Sequence, residues 1–311
     1  MGKFAKILRN YGMYIGFGII ILFFSLSSEY FLDVYNLMNI LVQSSLIAII
    51  AVGQTFVILT GGIDLSVGSV VALSSVGTGL MLVAGVPIWL SIILGVLIGM
   101  GAGLVNGATV AFGKVPAFIV TLGMMSIARG AALALNNGKP VSGLPLEFER
   151  IASEEFFGIP IFAIYMIAIY LVGFFILYKT RLGRHTFAIG GNREATKLSG
   201  INVPKNEMMT YMISGILAGL GGVLLTARLN YATPISGNSY ELDTIAAVVI
   251  GGTSLAGGEG GLIGTLIGAL LLGTLRNGLT LLNVVSYYQQ IIIGSVIVLA
   301  VFYDRLKAKN K

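Results

Sequence analysis

Cysteine is absent from the 311-residue sequence, histidine occurs once, and only 10% of the residues are charged. The absence of cysteine excludes disulfide bonds and thiolate metal sites. A soluble domain carries about 25% charged residues, so the shortage of charge excludes an ordinary soluble protein. Hydrophobic residues make up 56% of the chain, and its mean hydropathy is +0.93. We therefore expect an integral membrane protein.

Motifs for nucleotide binding and catalysis are also missing. No Gly-x-x-x-x-Gly-Lys-Ser/Thr sequence occurs, so ATP and Mg would be used by a separate ATPase chain if transport is ATP-driven. The sequence has no evident nucleophile–base pair or metal-ligand cluster, and we expect no enzyme, no metal and no cofactor in this chain. The net charge of +6 does not indicate nucleic-acid binding, because the basic residues follow membrane sidedness.

Apolar runs of about 20 residues predict ten membrane-spanning helices in an all-α, polytopic protein. The eighth run is short, so it forms either a half-helix or a span that continues across Gly257. The polar segments between the runs are too short for a second core, so we expect one transmembrane domain over 1–311. The predicted spans cover about 11–28, 40–60, 66–84, 88–112, 116–135, 160–178, 207–230, 243–256, 260–283 and 287–304.

The distribution of Lys and Arg predicts that both termini are cytoplasmic. With ten spans, this orientation puts most basic residues inside, as the positive-inside rule requires. The N-terminal basic residues and the apolar run behind them could imitate a signal peptide. The length of the run from Tyr11 to Ser28 favours an uncleaved first helix.

Two glycine-rich segments, 61–69 and 251–261, interrupt the apolar chain. Irregular backbone at membrane depth is tolerated only inside protein or beside a water-filled cavity, which is typical of transporters. We expect both segments to act as hinges, with Asp64 accepting backbone N–H groups at the start of the third span. The predicted hinge residues are Gly61, Gly62, Asp64, Ser66, Gly251, Gly252, Gly257 and Gly258.

The basic segment 179–206 is the largest predicted cytoplasmic element. Gly190 and Gly191 predict a turn, Asn192 is a plausible N-cap, and Gly200 supplies a C-cap. A short capped helix between two spans is either a rigid lever or a solvated loop. Its residues are Asn192, Arg193, Glu194, Ala195, Thr196, Lys197, Leu198 and Ser199.

Several motifs resemble one known family. They include Ile-Leu-Thr-Gly-Gly-Ile-Asp-Leu-Ser-Val-Gly-Ser at 58–69, Pro-Ala-Phe-Ile-Val-Thr-Leu-Gly-Met-Met at 116–125, Arg-Leu-Gly-Arg at 181–184 and Gly-Gly-Thr-Ser-Leu-Ala-Gly-Gly at 251–258. Together they resemble the ribose-type permease subunits of bacterial ABC importers for monosaccharides, within the branched-chain-amino-acid and sugar permease superfamily.

The resemblance implies a permease of the bacterial cytoplasmic (inner) membrane that translocates ribose or a related pentose or hexose. It also implies a homodimer in membrane lipid, an ABC ATPase that docks on the 192–199 coupling helix, and a periplasmic or lipid-anchored sugar-binding protein. One alternative is an ABC permease for another solute, such as a branched-chain amino acid or a nucleoside. The other is an ion-driven carrier, which would need carboxylates near mid-membrane, where the sequence places none.

Polar residues within the spans have two open interpretations each. Gln54, Asn106, Thr121 and Gln289 either line a polar pathway or form interhelical hydrogen bonds.

Three arginines lie toward the predicted outer side of the membrane. Arg129, Arg228 and Arg276 either snorkel to lipid headgroups or contact acidic residues of the binding protein.

Overall fold

The structure is a computed structural model that describes residues 3–309. It confirms the prediction of an all-α, polytopic protein. The helices, in chain order, are α1 Lys3–Ser27, α2 Val34–Leu59, α3 Val67–Val83, α4 Ile88–Ala111, α5 Ala117–Leu135, α6 Leu146–Ser153, α7 Ile161–Lys179, α8 Arg181–Gly191, α9 Arg193–Leu198, α10 Val203–Leu229, α11 Tyr240–Ile250, α12 Leu262–Leu281 and α13 Ser286–Lys309. A short antiparallel hairpin, β1 Glu155–Phe156 and β2 Ile159–Pro160, lies between α6 and α7.

Six of these helices, α2, α4, α5, α7, α10 and α12, are long and apolar enough to cross a membrane. Shorter apolar helical segments occur at Gly12–Ser27, Val67–Val83 and Ser286–Leu299. Helix α11 has 11 residues and ends at Ile250, so the eighth predicted span is a half-helix and does not continue across Gly257. The total of ten spans stays a prediction.

Helices α2 and α10 form the centre of the protein. In their apolar windows, 78% and 67% of residues are buried, whereas the figure is 28% for α4 and 17% for α5. Glycines explain how closely α4 and α10 approach, because a methyl carbon on Gly99 would lie only 2.6 Å from the Cα of Gly219. The surfaces of α4 and α5 are therefore largely uncovered within this chain.

The segment between α10 and α11 folds back into the protein. Ala232 pairs with Val141 as an isolated antiparallel bridge, with N···O distances of 2.7 and 2.9 Å. A methyl carbon on Gly237 would lie 2.6 Å from the carbonyl oxygen of Gly68, at the hinge end of α3. The chain has therefore returned along α3 before α11 begins, which places α11 in the interior.

Candidate functional site

The first predicted hinge is shorter than 61–69, because Val67, Gly68 and Ser69 belong to α3. The connection that we call the first hinge, residues 60–66, joins α2 to α3 around the buried carboxylate of Asp64. One oxygen, Oδ1, accepts hydrogen bonds from the backbone N–H of Ser66 at 2.9 Å and from its hydroxyl at 2.6 Å. The other, Oδ2, accepts the Ser214 hydroxyl of α10 at 2.8 Å. Asp64 thus accepts a backbone N–H next to the start of α3, as the sequence predicted, and it also ties the hinge to the central helix.

Two of the four polar pathway candidates contact this hinge. The Asn106 amide of α4 donates to the Ser66 hydroxyl at 2.9 Å. The Thr121 hydroxyl of α5 lies 3.2 Å from the Ile63 carbonyl oxygen and 2.9 Å from that of Ala117, and it can donate to either. Hydrogen bonds between elements, one of the two open interpretations, therefore occur at both positions.

The other two candidates lie apart from this group. Gln54 is fully buried in α2, and neither polar atom of its side chain has a hydrogen-bond partner within the described residues. Gln289 lies at the start of α13, where it donates to the Val284 carbonyl at 2.8 Å and to the Thr280 hydroxyl at 3.2 Å. The structure does not bring the four residues together.

The second hinge, residues 251–261, is a compact loop between α11 and α12. Three of its glycines, Gly252, Gly257 and Gly258, have φ angles of 86°, 86° and 75°, which other residues rarely adopt. The Ser254 N–H donates to the Glu259 carbonyl oxygen at 2.9 Å and closes the loop. Glycine at these positions is a conformational requirement.

The two hinges touch each other. The backbone N–H of Gly258 donates to the carbonyl oxygen of Leu59, at the end of α2, across 2.9 Å. A methyl carbon on Gly257 would lie 2.8 Å from the nitrogen of Gly61. The sequence shows both glycine-rich segments but does not predict this contact between them, and their action as hinges stays a prediction.

The end of α8 packs against the same point. A methyl carbon on Gly257 would lie 2.9 Å from the Cα of Gly190, and one on Gly258 would lie 2.8 Å from the nitrogen of Gly191. Backbone meets backbone here, with no side chain between the three segments. We call this contact the glycine junction, formed by Leu59, Gly61, Gly190, Gly191, Gly257 and Gly258.

The predicted turn at Gly190 and Gly191 is wrong, because both residues belong to the last turn of α8. The N-cap is where the sequence placed it: Asn192 Oδ1 accepts the backbone N–H of Ala195 at 2.9 Å. Helix α9 runs from Arg193 to Leu198, so it ends one residue earlier than predicted, and its C-cap is Ser199 instead of Gly200. Gly200 follows the cap with a φ angle of 80°. One continuous helix leads from the end of α7 to the cap of α9.

Most of α9 is exposed. The side chain of Thr196 is buried, whereas Leu198 is 86% exposed. Arg193 forms an ion pair with Glu207 of α10, and this pair fixes the base of α9 to the central helix. The exposed residues are Arg193, Glu194, Ala195, Lys197, Leu198 and Ser199.

The three arginines that the sequence predicts on the outer side all have partners within the chain. Arg276 Nη2 lies 3.0 Å from both carboxylate oxygens of Asp243. Arg129 donates to the backbone carbonyls of Pro234 and Ser236 in the segment that folds back.

The third outer arginine, Arg228, lies over the ring of Phe162 of α7, 6.0 Å from the ring centre. The structure has no partner chain, so contact of these arginines with a binding protein stays a prediction.

Two further acidic side chains are buried inside the protein, and the expectation that none lies near mid-membrane stays a prediction. Asp243 is 5% exposed in α11, and Asp64 is 1% exposed beside the middle of α10. Asp243 is buried because the fold-back of 230–239, which does not show in hydropathy, leads α11 into the interior. Its partner Arg276 lies in the following helix, α12.

A cavity of about 750 Å³ opens beside the first hinge. One wall of the cavity is formed by this hinge and the α4–α5 connection. The opposite wall is formed by α9 and the start of α10. Lys114, Arg193, Lys197, Glu194 and Glu207 supply its charges. We call it the hinge cavity.

No metal site accompanies these features. Across residues 3–309, no three His, Asp or Glu side chains lie close enough together to bind a metal ion.

Comparison with known proteins gives one family. The family model described as branched-chain amino acid transport system / permease component matches residues 36–301. The chain is 46% identical over 307 residues to the ribose import permease of Bacillus subtilis, across 98% of this chain and 95% of that protein. No solved structure matches.

Two further relatives are named for other sugars. Identity to the D-allose transport system permease of Escherichia coli is 41% over 309 residues, covering 99% of this chain and 95% of that protein. Identity to the xylose transport system permease of Haemophilus influenzae is 34% over 369 residues, covering 97% and 98%.

Proposed function

Because the chain belongs to the branched-chain amino acid transport system / permease component family, we propose that it is the membrane-spanning permease subunit of an ATP-binding cassette importer for a monosaccharide. The observation that carries this proposal is 46% identity over nearly the whole length of a ribose import permease. The family description alone would favour an amino acid. The three relatives described above are all named for sugars, which favours a sugar for this chain.

Ribose is the first substrate to test. Identity is 46% to the ribose permease, 41% to the D-allose permease and 34% to the xylose permease. Since this ranking reflects the whole chain and not a sugar site, the substrate must be decided by transport.

The partner ATPase, which would use ATP and Mg, docks on α9 in this proposal. Ala195 and its neighbours are exposed, and the Asn192 cap and the Arg193–Glu207 ion pair hold the helix in a fixed position. A displacement of α9 would reach both hinges through α8 and the glycine junction. This path supports α9 as a lever more than as a solvated loop.

The arrangement in the membrane follows from the same proposal. Ten spans with cytoplasmic termini would place α9 and the hinge cavity on the cytoplasmic side. A second permease copy would cover part of α4 and α5, whose apolar windows are the least buried. The sugar-binding protein would dock on the opposite face.

An ion-driven carrier is disfavoured by how the buried carboxylates are bonded. Asp64 accepts three hydrogen bonds, Asp243 is paired with Arg276, and Glu207 is paired with Arg193. A coupling carboxylate must exchange its proton or cation with water during each cycle. Each of these three carboxylates instead accepts from donors of the protein.

Transport in liposomes tests the proposal. The chain is reconstituted with its ATPase and binding protein, and uptake of labelled ribose, D-allose, xylose and leucine is measured. We expect ATP-dependent uptake of one sugar and no response to a proton or sodium gradient. Leucine uptake, or sugar uptake driven by an ion gradient without ATP, would refute it.

A further inference from the structure

The hinge cavity contains two buried polar groups that lack partners. The Glu207 side chain is 5% exposed and Tyr211 is 1% exposed, and both residues line the cavity. Within the described residues, neither Glu207 Oε2 nor the Tyr211 hydroxyl has a hydrogen-bond partner. Leaving a buried polar atom unpaired is unfavourable, so a hydrogen-bonding group supplied from the cavity would stabilise each of these atoms.

The two oxygens of Glu207 have different roles. Oε1 pairs with Arg193 of α9, and Oε2 is left free for another donor. A ligand can therefore bond Oε2 without breaking the ion pair that holds α9.

The charges around the cavity select the class of ligand. A carboxylate oxygen only accepts hydrogen bonds, so Glu207 Oε2 requires a donor and repels an anion. Lys114 and Lys197 repel a cation, while Arg193 is neutralised by its pair with Glu207, and Glu194 adds a second group that repels an anion. A neutral molecule with several hydroxyl groups satisfies both conditions, since it can donate to Glu207 and accept from the lysines.

The size and position of the cavity fit the same class. Its volume of about 750 Å³ lies within the range of about 300–1,000 Å³ for small-molecule sites. A methyl group on Gly62 would collide with the Tyr211 hydroxyl, so a ligand at this hydroxyl also lies beside the first hinge. One cavity thus contacts both the hinge and the coupling helix.

From these contacts we propose that the hinge cavity is a weak site for the transported monosaccharide within one permease subunit, occupied as the sugar leaves toward the ATPase side. This inference rests on the proposed function and adds a site to it. Occupancy would hold Tyr211 and the first hinge in place, and release would free them to move.

Cysteine protection tests the site, and the absence of native cysteine makes the labelling unambiguous. Val115→Cys and Ile201→Cys place a thiol at two sides of the cavity, and Ser199→Cys places one on the exposed surface outside it. The purified full-length permease is labelled with a maleimide at increasing D-ribose concentration. We expect at least threefold slower labelling at Val115→Cys and Ile201→Cys at tens of millimolar ribose, and no change at Ser199→Cys.

Several outcomes would overturn the inference. They are unchanged labelling with ribose, absence of labelling at both cavity thiols, equal protection of Ser199→Cys, and protection by ribose 5-phosphate in preference to ribose. If ribose uptake by the complete importer is normal while any of these occurs, the site is wrong and the proposed function stands. Absence of sugar uptake would instead refute the proposed function itself.

A matched pair of tyrosine variants separates a sugar contact from a packing effect. Tyr211→Phe and Tyr170→Phe each remove one buried hydroxyl that lacks a partner within the described residues, and Tyr170 is not among the residues of the cavity wall. Loss of one hydrogen bond predicts that Tyr211→Phe raises the half-protecting ribose concentration about three- to tenfold. Tyr170→Phe should not change it, and equal effects of the two variants would contradict the assignment.

Discussion

Gly258 donates its backbone N–H to the carbonyl oxygen of Leu59 across 2.9 Å, and Gly190 lies directly against this hydrogen bond. A side chain on Gly190 would collide with both groups. The bond joins the second hinge to the end of α2, and the glycine brings the helix that leads to α9 into contact with it. Three segments far apart in sequence therefore meet through backbone atoms alone.

The first prediction is that Gly190→Ala uncouples transport. The new methyl group separates α8 from both hinges, so we expect at least a tenfold loss of ATP-dependent sugar uptake while the ATPase still co-purifies. Gly191→Ala is the matched control, because a methyl group there meets nothing within 4 Å. Equal activity of the two variants would show that the junction does not transmit motion.

The second prediction concerns the Asp64 carboxylate. Ser214→Ala removes one of its donors and leaves a buried charge less satisfied, which should destabilise the protein by about 1–3 kcal/mol. Ser45→Ala is the control, since the Ser45 hydroxyl bonds only to the Leu41 carbonyl of its own helix. Thermal unfolding in detergent measures the difference. If the unfolding temperature of Ser214→Ala is no lower than that of Ser45→Ala, the hydrogen bond between Ser214 and Asp64 does not stabilise the contact between the first hinge and α10.

Sequence reasoning succeeded where the pattern is local. Asn192 has both the residue type and the spacing of an N-cap, and the glycine-rich segments require conformations that few other residues adopt. It failed for Gly190 and Gly191, where a glycine pair favours a turn but close packing on Leu59 and Gly258 favours helix.

Sequence reasoning missed the contacts that join distant segments of the chain. These are the glycine junction, the Asp243–Arg276 ion pair, and the hydrogen bonds from Asn106 and Thr121 to the first hinge. No local pattern encodes them. The burial of Asp243 follows from the fold-back of residues 230–239, which hydropathy does not show.

The third prediction is that Asp243 and Arg276 are energetically coupled. Removing one partner of a buried pair leaves an uncompensated charge and costs about 3–5 kcal/mol. The exposed part of Arg276 lowers this value, so we expect each of Asp243→Asn and Arg276→Gln to destabilise clearly. The double variant should be more stable than the sum of the two losses predicts. If the loss of stability in the double variant equals the sum of the two single losses, measured by thermal unfolding, Asp243 and Arg276 are not energetically coupled.

The fourth prediction concerns docking at α9. Ala195→Trp adds bulk and Glu194→Lys reverses a charge on exposed positions, so both should reduce ATPase co-purification and sugar-stimulated ATP hydrolysis. Ala195→Ser is the control and should behave as the wild type. If both variants retain the ATPase, full stimulated hydrolysis and uptake, α9 is only a solvated surface helix.

The central claim is that motion of α9 reaches both hinges through the glycine junction. Thr60→Cys and Ala256→Cys place single thiols in the first and second hinge, and their labelling rates are compared with and without ATP in the complete importer. We predict that both rates change with nucleotide in the otherwise native chain, and that neither changes when Gly190→Ala is added. Nucleotide-dependent labelling that persists in the Gly190→Ala background would contradict the account.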